Sequence, residues 1–402
     1  MTTPTIVFND IQKSPADRSM YRGLELPNRM KVLLISDAET LKGTAAMNVR
    51  IGSMKDPLEF QGIAHFLEHM LFMGSEKHPS TSYFRDLVVG SGGDTNAYTT
   101  FEETNYTFNT KFESFYECLE AWSQFFLAPL FSADATAKEI NAVNSEAVNY
   151  LNNDFWRTLE IFRKMSNPDS QINKYQIGSI KTLDVPGIRD ALVAFHKKWY
   201  SSDIMGLVLT TNDTLDNMQA KVEQFFSGIE NKNLGPITFK NEKFPYAPER
   251  LGKVLNIVPI TDKHSIRVWW VVPQLSDHQR SMPADYTSHL LGHESRNSAL
   301  QFLIKEGLAA SMMVYGDTSA DYFSTMCLII TPTIKGLEQW QKILDVVFQY
   351  VNMLKQKGAQ KWIHHELERT NETSWTFQNK VAAGGRCITL SQALGDCAMY
   401  DV

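Results

Sequence analysis

The chain has 402 residues, of which 43% are hydrophobic and 21% charged, and its formal net charge is −6. This length exceeds what one hydrophobic core usually supports, so a globular chain of this composition is expected to form two domains of about 200 residues each. The negative charge argues against nucleic acid as the main partner, because such partners are held by an excess of cationic side chains.

The cysteines and the N-terminal segment indicate the cellular compartment of the protein. Four cysteines are spread without the close pairs of a disulfide framework or a thiolate zinc site, and they are Cys118, Cys327, Cys387 and Cys397. The N-terminal segment carries acidic residues and lacks the apolar core of a secretory signal. No run of about 20 apolar residues predicts a membrane span. We therefore expect a cytosolic protein with reduced thiols and no membrane partner.

The first half of the sequence alternates strand and helix patterns. Residues 62–73 are apolar nearly all round, which is typical of a buried helix, and a glycine follows them. Residues 96–109 are rich in threonine and aromatic side chains, which is typical of strands. In chain order the predicted elements are a strand pair within 30–51, helices over 62–73 and 80–89, a strand pair over 96–109, helices over 112–127 and 133–151, and a strand over 207–209.

The second half repeats this order of elements. Residues 231–248 contain prolines, lysines and few apolar residues, so we predict a linker there and a boundary near residue 240, which gives domains 1–240 and 241–402. The predicted elements are strands over 254–258 and 265–272, helical structure over 286–306, a strand over 326–330 and a helix over 336–356. A diverged tandem duplication fits this repetition, and in that case only the first copy carries the chemistry described next.

The predicted helix over 62–73 carries three ionisable side chains on an otherwise apolar segment. His65 and His69 are four residues apart, so both project from one face and can reach one metal ion, as zinc ligands do. Glu68 lies on nearly the same face and can accept a proton from metal-bound water. The order His-x-x-Glu-His is the inverted zinc-peptidase motif. The alternative is that both histidines are buried polar residues without a metal, which leaves three ionisable groups in an apolar surrounding.

Catalytic zinc needs a third protein ligand and one open position. The predicted helix over 133–151 offers Glu139 and Glu146, which are seven residues apart and therefore lie on one face, two turns from each other. Either carboxylate could be an ordinary solvated glutamate instead. The spacing does not choose between them.

Three segments are typical of one protein family, and they are GIAHFLEHMLFMGSEKHP at 62–79, GSGGDTNAYTTFEETNYTF at 90–108 and KEINAVNSEAVNYLNNDFWR at 138–157. With these segments the chain resembles the insulysin and pitrilysin family of inverted-motif zinc peptidases. The resemblance implies an α+β fold of two homologous domains, each a mainly antiparallel sheet packed by helices, as in mitochondrial processing peptidase. It also implies that the second domain is incomplete and that a further half of the family's molecule is not encoded here.

The resemblance implies a role for each matching residue. It makes His65, His69 and Glu146 the ligands of one zinc ion, Glu68 the general base, and Glu139 a carboxylate that orients a metal-bound histidine. It places Asn96 and Ala97 on an edge strand that pairs with the substrate backbone. The remaining implied substrate contacts are Phe72, Tyr98 and Trp156 in the pocket after the scissile bond, and His289, Gly292 and His293 in an exosite.

The sequence departs from the family in that exosite. Bulkier residues stand where insulysin-type members carry glycines, at Ser295 to Asn297 and at Val314 and Tyr315. These bulkier residues weaken the expectation that the exosite anchors a substrate N-terminus as it does in the family, whereas the residues of the catalytic site match the family. In the family the absent half also supplies an arginine and a tyrosine near the substrate carbonyl, where they could stabilise the developing oxyanion.

The sequence thus predicts a zinc-dependent endopeptidase that cleaves short or flexible peptides. One alternative is a non-catalytic peptide-binding or assembly subunit, although such relatives typically lose part of the zinc motif and this chain keeps all of it. Another is a fragment or natural short form that binds zinc and peptide but needs a C-terminal half or a second chain for turnover.

Overall fold

The computed structural model of the chain describes residues 5–9, 11–278, 281–317 and 320–396. These residues divide into two compact units. Unit 1 contains the described residues of Met1–Leu151, Gln171–Ile237 and Phe377–Val402, and unit 2 contains those of Asn152–Ser170 and Thr238–Thr376. The chain enters unit 2 at residue 152 and again at residue 238, and it returns to unit 1 at residues 171 and 377. Neither unit is a continuous stretch, because helical segments near 152–170 and 377–396 pack away from their sequence neighbours.

Strands and helices are mixed throughout, which confirms the α+β class. The strands are β1 Ile6–Phe8, β2 Met20–Glu25, β3 Lys31–Ser36, β4 Gly43–Val49, β5 Asp94–Thr99, β6 Thr104–Thr110, β7 Met205–Thr211, β8 Ile266–Pro273, β9 Ala309–Asp317 and β10 Phe323–Pro332. The helices are α1 Ile63–Leu71, α2 Tyr83–Gly90, α3 Phe112–Leu127, α4 Ala133–Leu151, α5 Asp154–Lys164, α6 Ile180–Leu183, α7 Ile188–Trp199, α8 Leu215–Phe226, α9 Pro283–Leu291, α10 Ala299–Lys305, α11 Ile334–Glu338, α12 Trp340–Lys357, α13 Lys361–Thr376 and α14 Ala383–Asp396.

Unit 1 is built on a sheet whose described strands follow the order β1-β2-β3-β7-β4-β6-β5. Its neighbouring strands are antiparallel except for the parallel pair β3 and β7. Helices cover both faces of its centre. On β3, Val32 and Leu34 join the larger core, whereas Leu33 and Ile35 join a smaller cluster with α14. A strand covered on both faces is apolar throughout, which explains the continuous apolar run of β3.

Unit 2 is built on a smaller antiparallel sheet with the described strand order β8-β10-β9. Its core consists of apolar residues from β9, β10 and the helices α9, α10 and α12, among them Leu303, Leu328 and Ile343, which are fully buried. Helices α9, α10 and α12 pack on the face of the sheet that carries Val268 and Trp270, whereas Phe162 of α5 packs against Trp269, whose side chain alternates to the other face. Both units therefore follow the predicted plan of a mainly antiparallel sheet packed by helices.

Several predicted elements need correction. The two strands within residues 30–51 form, but they are not neighbours, because β7 lies between β3 and β4. The predicted strand over 254–258 is wrong: this segment has no strand pairing among the described residues, and Val258 is 80% exposed. Just after it, the backbone amides of Ile260 and Thr261 bind the Asp154 carboxylate instead of a strand. The helical region over 286–306 is two helices, because Gly292 ends α9.

Two further expectations concern cysteines and membranes. Cys118, Cys327 and Cys387 are buried free thiols, whereas Cys397 lies outside the described residues. Among the helices that the structure describes, none is both long and apolar enough to cross a bilayer.

Candidate metal centre

Helix α1 carries the inverted motif, and its start is fixed by two local features. Gly62 precedes the helix with a φ of +89°, a left-handed conformation that glycine adopts without strain. The buried Asp56 carboxylate accepts hydrogen bonds from the amides of Gly62 at 2.7 Å and Ala64 at 3.1 Å. A carboxylate at this end also interacts favourably with the helix dipole. The helix start, and with it the direction of the motif side chains, is therefore well defined.

His65 and His69 lie one turn apart on α1, with ring centroids 4.8 Å apart. The Nδ1 atom of His65 is 2.7 Å from the carbonyl oxygen of Ile177, which can only accept, so Nδ1 carries the proton. The Nδ1 atom of His69 is 2.8 Å from Oε1 of Glu139. These partners direct the two Nε2 atoms toward a common point, as is usual for histidines that bind a metal.

Helix α4 brings a carboxylate to the same point. Oε2 of Glu146 is 3.6 Å from Nε2 of His65 and 3.3 Å from Nε2 of His69. Its other oxygen, Oε1, accepts a hydrogen bond of 2.5 Å from the Tyr150 hydroxyl. Glu139, two turns earlier, contacts the far side of the His69 ring. The structure thus distinguishes the two glutamates that the spacing left open, because only Glu146 reaches both Nε2 atoms.

The donor set fits a zinc ion. Zinc in a tetrahedral site has bonds of about 2.0–2.1 Å to nitrogen and oxygen, which separates its ligand atoms by about 3.3–3.4 Å. The distance from Glu146 Oε2 to His69 Nε2, 3.3 Å, matches this separation, and the distance to His65 Nε2, 3.6 Å, is slightly longer. His65, Glu68 and His69 also form a group whose potential ligand atoms lie within 4.8 Å of one another.

In the metal-free chain His69 carries an additional proton. Burial lowers the pKa of His69, but its hydrogen bonds to Glu139 and Glu146 outweigh burial and raise that pKa to about 10. The hydrogen bond from His69 lowers the pKa of Glu146 to about 2. His69 is therefore cationic and Glu146 anionic near neutral pH. The positive charge of His69 partly balances the negative charges of the neighbouring carboxylates.

Glu68 is more buried than His65, His69 and Glu146. It is only 6% exposed, and its Oε2 accepts a hydrogen bond of 2.7 Å from the hydroxyl of Thr99 on β5. Burial raises the pKa of Glu68 above its ordinary value, against the opposing effect of His65 and the Thr99 hydrogen bond. A carboxylate with a raised pKa that faces a metal site is suited to accept and return a proton.

The strand β5 lies at the edge of the sheet next to this centre. Among the described strands it pairs only with β6, in a register that places Asn96 opposite Thr107 and Ala97 opposite Tyr106. Its other side leaves backbone groups available to a further strand. Asn96 and Ala97 are therefore located where the sequence predicted them.

Phe72 and Tyr98 lie on opposite faces of this sheet. Phe72 follows α1 and packs against aromatic rings of the larger core. Tyr98 precedes Thr99 on β5 and points to the other face, where its hydroxyl is 3.5 Å from a carboxylate oxygen of Glu103. Because successive side chains of a strand alternate, Tyr98 does not share the face of Phe72 in this structure, and the role of both residues in one substrate pocket stays a prediction.

The other predicted substrate contacts belong to unit 2. Trp156 lies on α5, where its ring packs edge-on against Phe155. His289 is in the last turn of α9, Gly292 ends that helix, and His293 follows with its ring 5.1 Å from that of His289. Their roles stay predictions.

The sequence did not point to several residues that hold the centre together. They are Asp56, Thr99, Tyr150 and the carbonyl of Ile177. Tyr150 alone had a local signal, since it lies one turn after Glu146 on a predicted helix. The other three reach the centre from distant segments or loops, so their spacing in the sequence carries no information.

The chain is similar to known peptidases over most of its length. Residues 31–169 match the family described as "Insulinase (Peptidase family M16)" and residues 188–371 match "Peptidase M16 inactive domain". The insulin-degrading enzyme of Drosophila melanogaster is 39% identical over 383 residues, which is 94% of this chain and 38% of the fly protein. The A-factor-processing enzyme of Saccharomyces cerevisiae is 35% identical over 401 residues, which is 98% of this chain and 39% of the yeast protein.

Solved structures agree with this similarity. The crystal structure of pitrilysin matches 98% of this chain and 42% of its own, with a TM-score of 0.92 and 26% identity. A protease from Helicobacter pylori has the same fold, with a TM-score of 0.72 at 18% identity. The chain spans about two fifths of the length of the fly and yeast relatives.

Proposed function

Because the chain belongs to the insulinase (peptidase M16) family, we propose that it is a zinc-dependent endopeptidase with His65, His69 and Glu146 as metal ligands. The observation that carries this proposal is the position of Glu146 Oε2, 3.6 and 3.3 Å from the two histidine nitrogens. These distances are close to the separation of about 3.3–3.4 Å between the ligand atoms of one tetrahedral zinc ion. Bound zinc would supply a Lewis acid for the scissile carbonyl and would lower the pKa of a bound water.

Glu68 is the proposed general base of the reaction. Its carboxylate is buried beside the two histidines and is held by Thr99. It takes a proton from the attacking water and then delivers that proton to the leaving amine, so one carboxylate serves both steps of peptide hydrolysis. Its raised pKa favours this exchange, because a weakly basic carboxylate would hold the proton too briefly to return it.

The edge strand β5 is the proposed binding site for the substrate backbone. A peptide that pairs with Asn96 and Ala97 extends the sheet by one strand and lies beside the metal centre. Only an extended segment can pair in this way, so the proposed substrates are short or flexible peptides. Side chains of such a peptide would alternate between the face of Phe72 and the face of Tyr98.

A second candidate is a chain that binds zinc and peptide but needs a partner for turnover. Two observations favour it: the chain spans about two fifths of its relatives, and residues 188–371 match a domain described as inactive. In this case the partner is a C-terminal half or a second chain that completes the substrate site. The cytosolic location stays a prediction.

The test compares the wild-type chain with Glu68→Gln, using a quenched fluorescent peptide and metal analysis. We expect about one zinc per chain in both proteins, cleavage by the wild type, and a loss of cleavage of at least about a hundredfold in the variant. Glu372→Gln, on an exposed position of α13, is the matched control and should behave as the wild type.

The same assay decides between the two candidates. It is run with and without a separately expressed C-terminal part of the fly relative. Cleavage only in the presence of that part supports the partner-dependent form. Wild-type cleavage by Glu68→Gln would overturn the proposed mechanism.

A further inference from the structure

We infer that Tyr150 is a positioning residue that fixes the orientation of the Glu146 carboxylate and thereby sets the metal affinity of the centre. This inference rests on the proposed function, since it takes Glu146 to be a metal ligand. It concerns a contact within one helix: the Tyr150 hydroxyl donates a hydrogen bond of 2.5 Å to Glu146 Oε1.

The two oxygens of Glu146 have separate partners. Oε1 is held by Tyr150, whereas Oε2 points to the Nε2 atoms of His65 and His69. A carboxylate whose one oxygen accepts a hydrogen bond offers the other oxygen to a metal, so this arrangement favours binding through Oε2 alone. Binding through one oxygen leaves the fourth position of a tetrahedral ion open, as a catalytic centre requires.

Glu146 needs such support more than the histidines do. Its side chain is 30% exposed, compared with 12% for His65 and 22% for His69. The histidine rings are also held by packing on a buried helix and by their Nδ1 partners. A partly exposed glutamate, by contrast, has three rotatable bonds and loses conformational freedom when it binds a metal.

The position of Tyr150 on α4 explains why its hydroxyl can reach the Glu146 carboxylate. It lies four residues after Glu146 on α4, so the two side chains project from the same face, one turn apart. With Tyr150, each of the three proposed ligands has a partner on the atom that faces away from the metal: a carbonyl, a carboxylate and a phenol. Such partners are known to orient ligands and to strengthen metal binding.

The experiment measures the zinc affinity of the full chain by competition with a chromogenic chelator. Tyr150→Phe removes only the hydroxyl, and we expect zinc affinity to fall about tenfold to a hundredfold. The melting temperature of the metal-free chain should stay unchanged. Tyr350→Phe, which removes a hydroxyl from α12 of unit 2, is the matched control and should keep wild-type zinc affinity.

A second readout reports the orientation of the ligand directly. In the cobalt-substituted chain, loss of the Tyr150 hydrogen bond lets Glu146 bind through both oxygens, so the visible absorption should weaken as the coordination number rises. Unchanged zinc affinity and an unchanged cobalt spectrum in Tyr150→Phe would overturn the inference. So would a fall in affinity with an equal fall in metal-free stability, because that indicates a purely structural role.

The failure of this inference can be told apart from failure of the proposed function. Glu146→Gln should weaken zinc binding far more than Tyr150→Phe does. If Glu146→Gln keeps wild-type affinity, the proposed ligand set itself is wrong. If only Tyr150→Phe has no effect, the ligand set stands and the positioning role is lost.

Discussion

His69 lies between two carboxylates, Glu139 at Nδ1 and Glu146 at Nε2. In the metal-free chain these hydrogen bonds raise the pKa of His69 to about 10, against the effect of burial. Zinc can bind only to the neutral ring, so a proton must leave when the metal enters. The zinc affinity of the chain is therefore coupled to pH through this one side chain.

We expect zinc affinity to rise about tenfold for each pH unit between pH 7 and pH 9. The direction follows from the raised pKa: below about 10 His69 holds its proton, and each increase in pH makes that proton easier to displace. The measurement is zinc affinity in metal buffers across this range. Glu139→Gln removes one anionic partner, lowers the pKa of His69 and should shift the steep region to lower pH. A zinc affinity independent of pH in the wild type would contradict the account.

At the scale of elements, the start of α1 depends on a close approach of two glycines. A Cβ added to Gly62 would lie 2.4 Å from the Cα atom of Gly178, and Gly62 also has a φ of +89°. Gly178 follows Ile177, whose carbonyl binds Nδ1 of His65. The glycine contact therefore brings the carbonyl of Ile177 to the proposed metal ligand His65.

We expect Gly62→Ala to destabilise the chain and to weaken zinc binding. The left-handed conformation alone costs an alanine about 1–3 kcal/mol, and the contact with Gly178 adds to this cost by pushing Ile177 away from His65. Gly187→Ala is the matched control, because Gly187 also precedes a helix with a φ of +83° but has no atom within 4 Å of an added Cβ. Unfolding in urea and zinc affinity are measured for both. Equal zinc affinities in the two variants would contradict the role of the glycine contact.

The helical spacing of residues made part of the centre predictable from the sequence. His65, Glu68 and His69 are contained in one helical turn, and Glu139 and Glu146 in one helix face, so their spacing revealed them. Which glutamate lies beside both histidine Nε2 atoms depends on how α4 packs against α1, and the spacing in the sequence contains no information on that packing. Thr99 on β5 and the carbonyl of Ile177 approach from other segments, and a backbone carbonyl has no residue signature at all.

In the whole molecule, the chain returns to unit 1 at Phe377, after the last segment of unit 2. Helix α14 covers the face of the sheet opposite to α1, and Leu394 packs there with Leu33, Ile35 and Val208. The predicted division into 1–240 and 241–402 could not include this return, because a helix of mixed sequence carries no sign of the sheet it covers. The insertion of β7 between β3 and β4 was hidden for the same reason: strand order depends on contacts between distant segments.

We expect Leu394→Ala to lower the free energy of unfolding of unit 1 by about 2–5 kcal/mol, because it leaves a cavity beneath α14. Leu394 is 1% exposed, whereas Leu41, which is 88% exposed, serves as the control in Leu41→Ala. Urea unfolding followed by circular dichroism measures both. Zinc affinity should be unchanged in either variant, since the metal centre lies on the other face of the sheet. Equal stability of the two variants would show that α14 does not contribute to the core of unit 1.

The central claim is that one zinc ion binds between α1 and α4. Anomalous diffraction at the zinc absorption edge, from crystals of the full chain grown with zinc, tests this claim most directly. We expect one strong peak per chain, bonded to Nε2 of His65, Nε2 of His69 and Oε2 of Glu146, with Glu68 beside it but not bonded to it. A peak at another site, or one bonded to Glu139 in place of Glu146, would contradict the proposed ligand set.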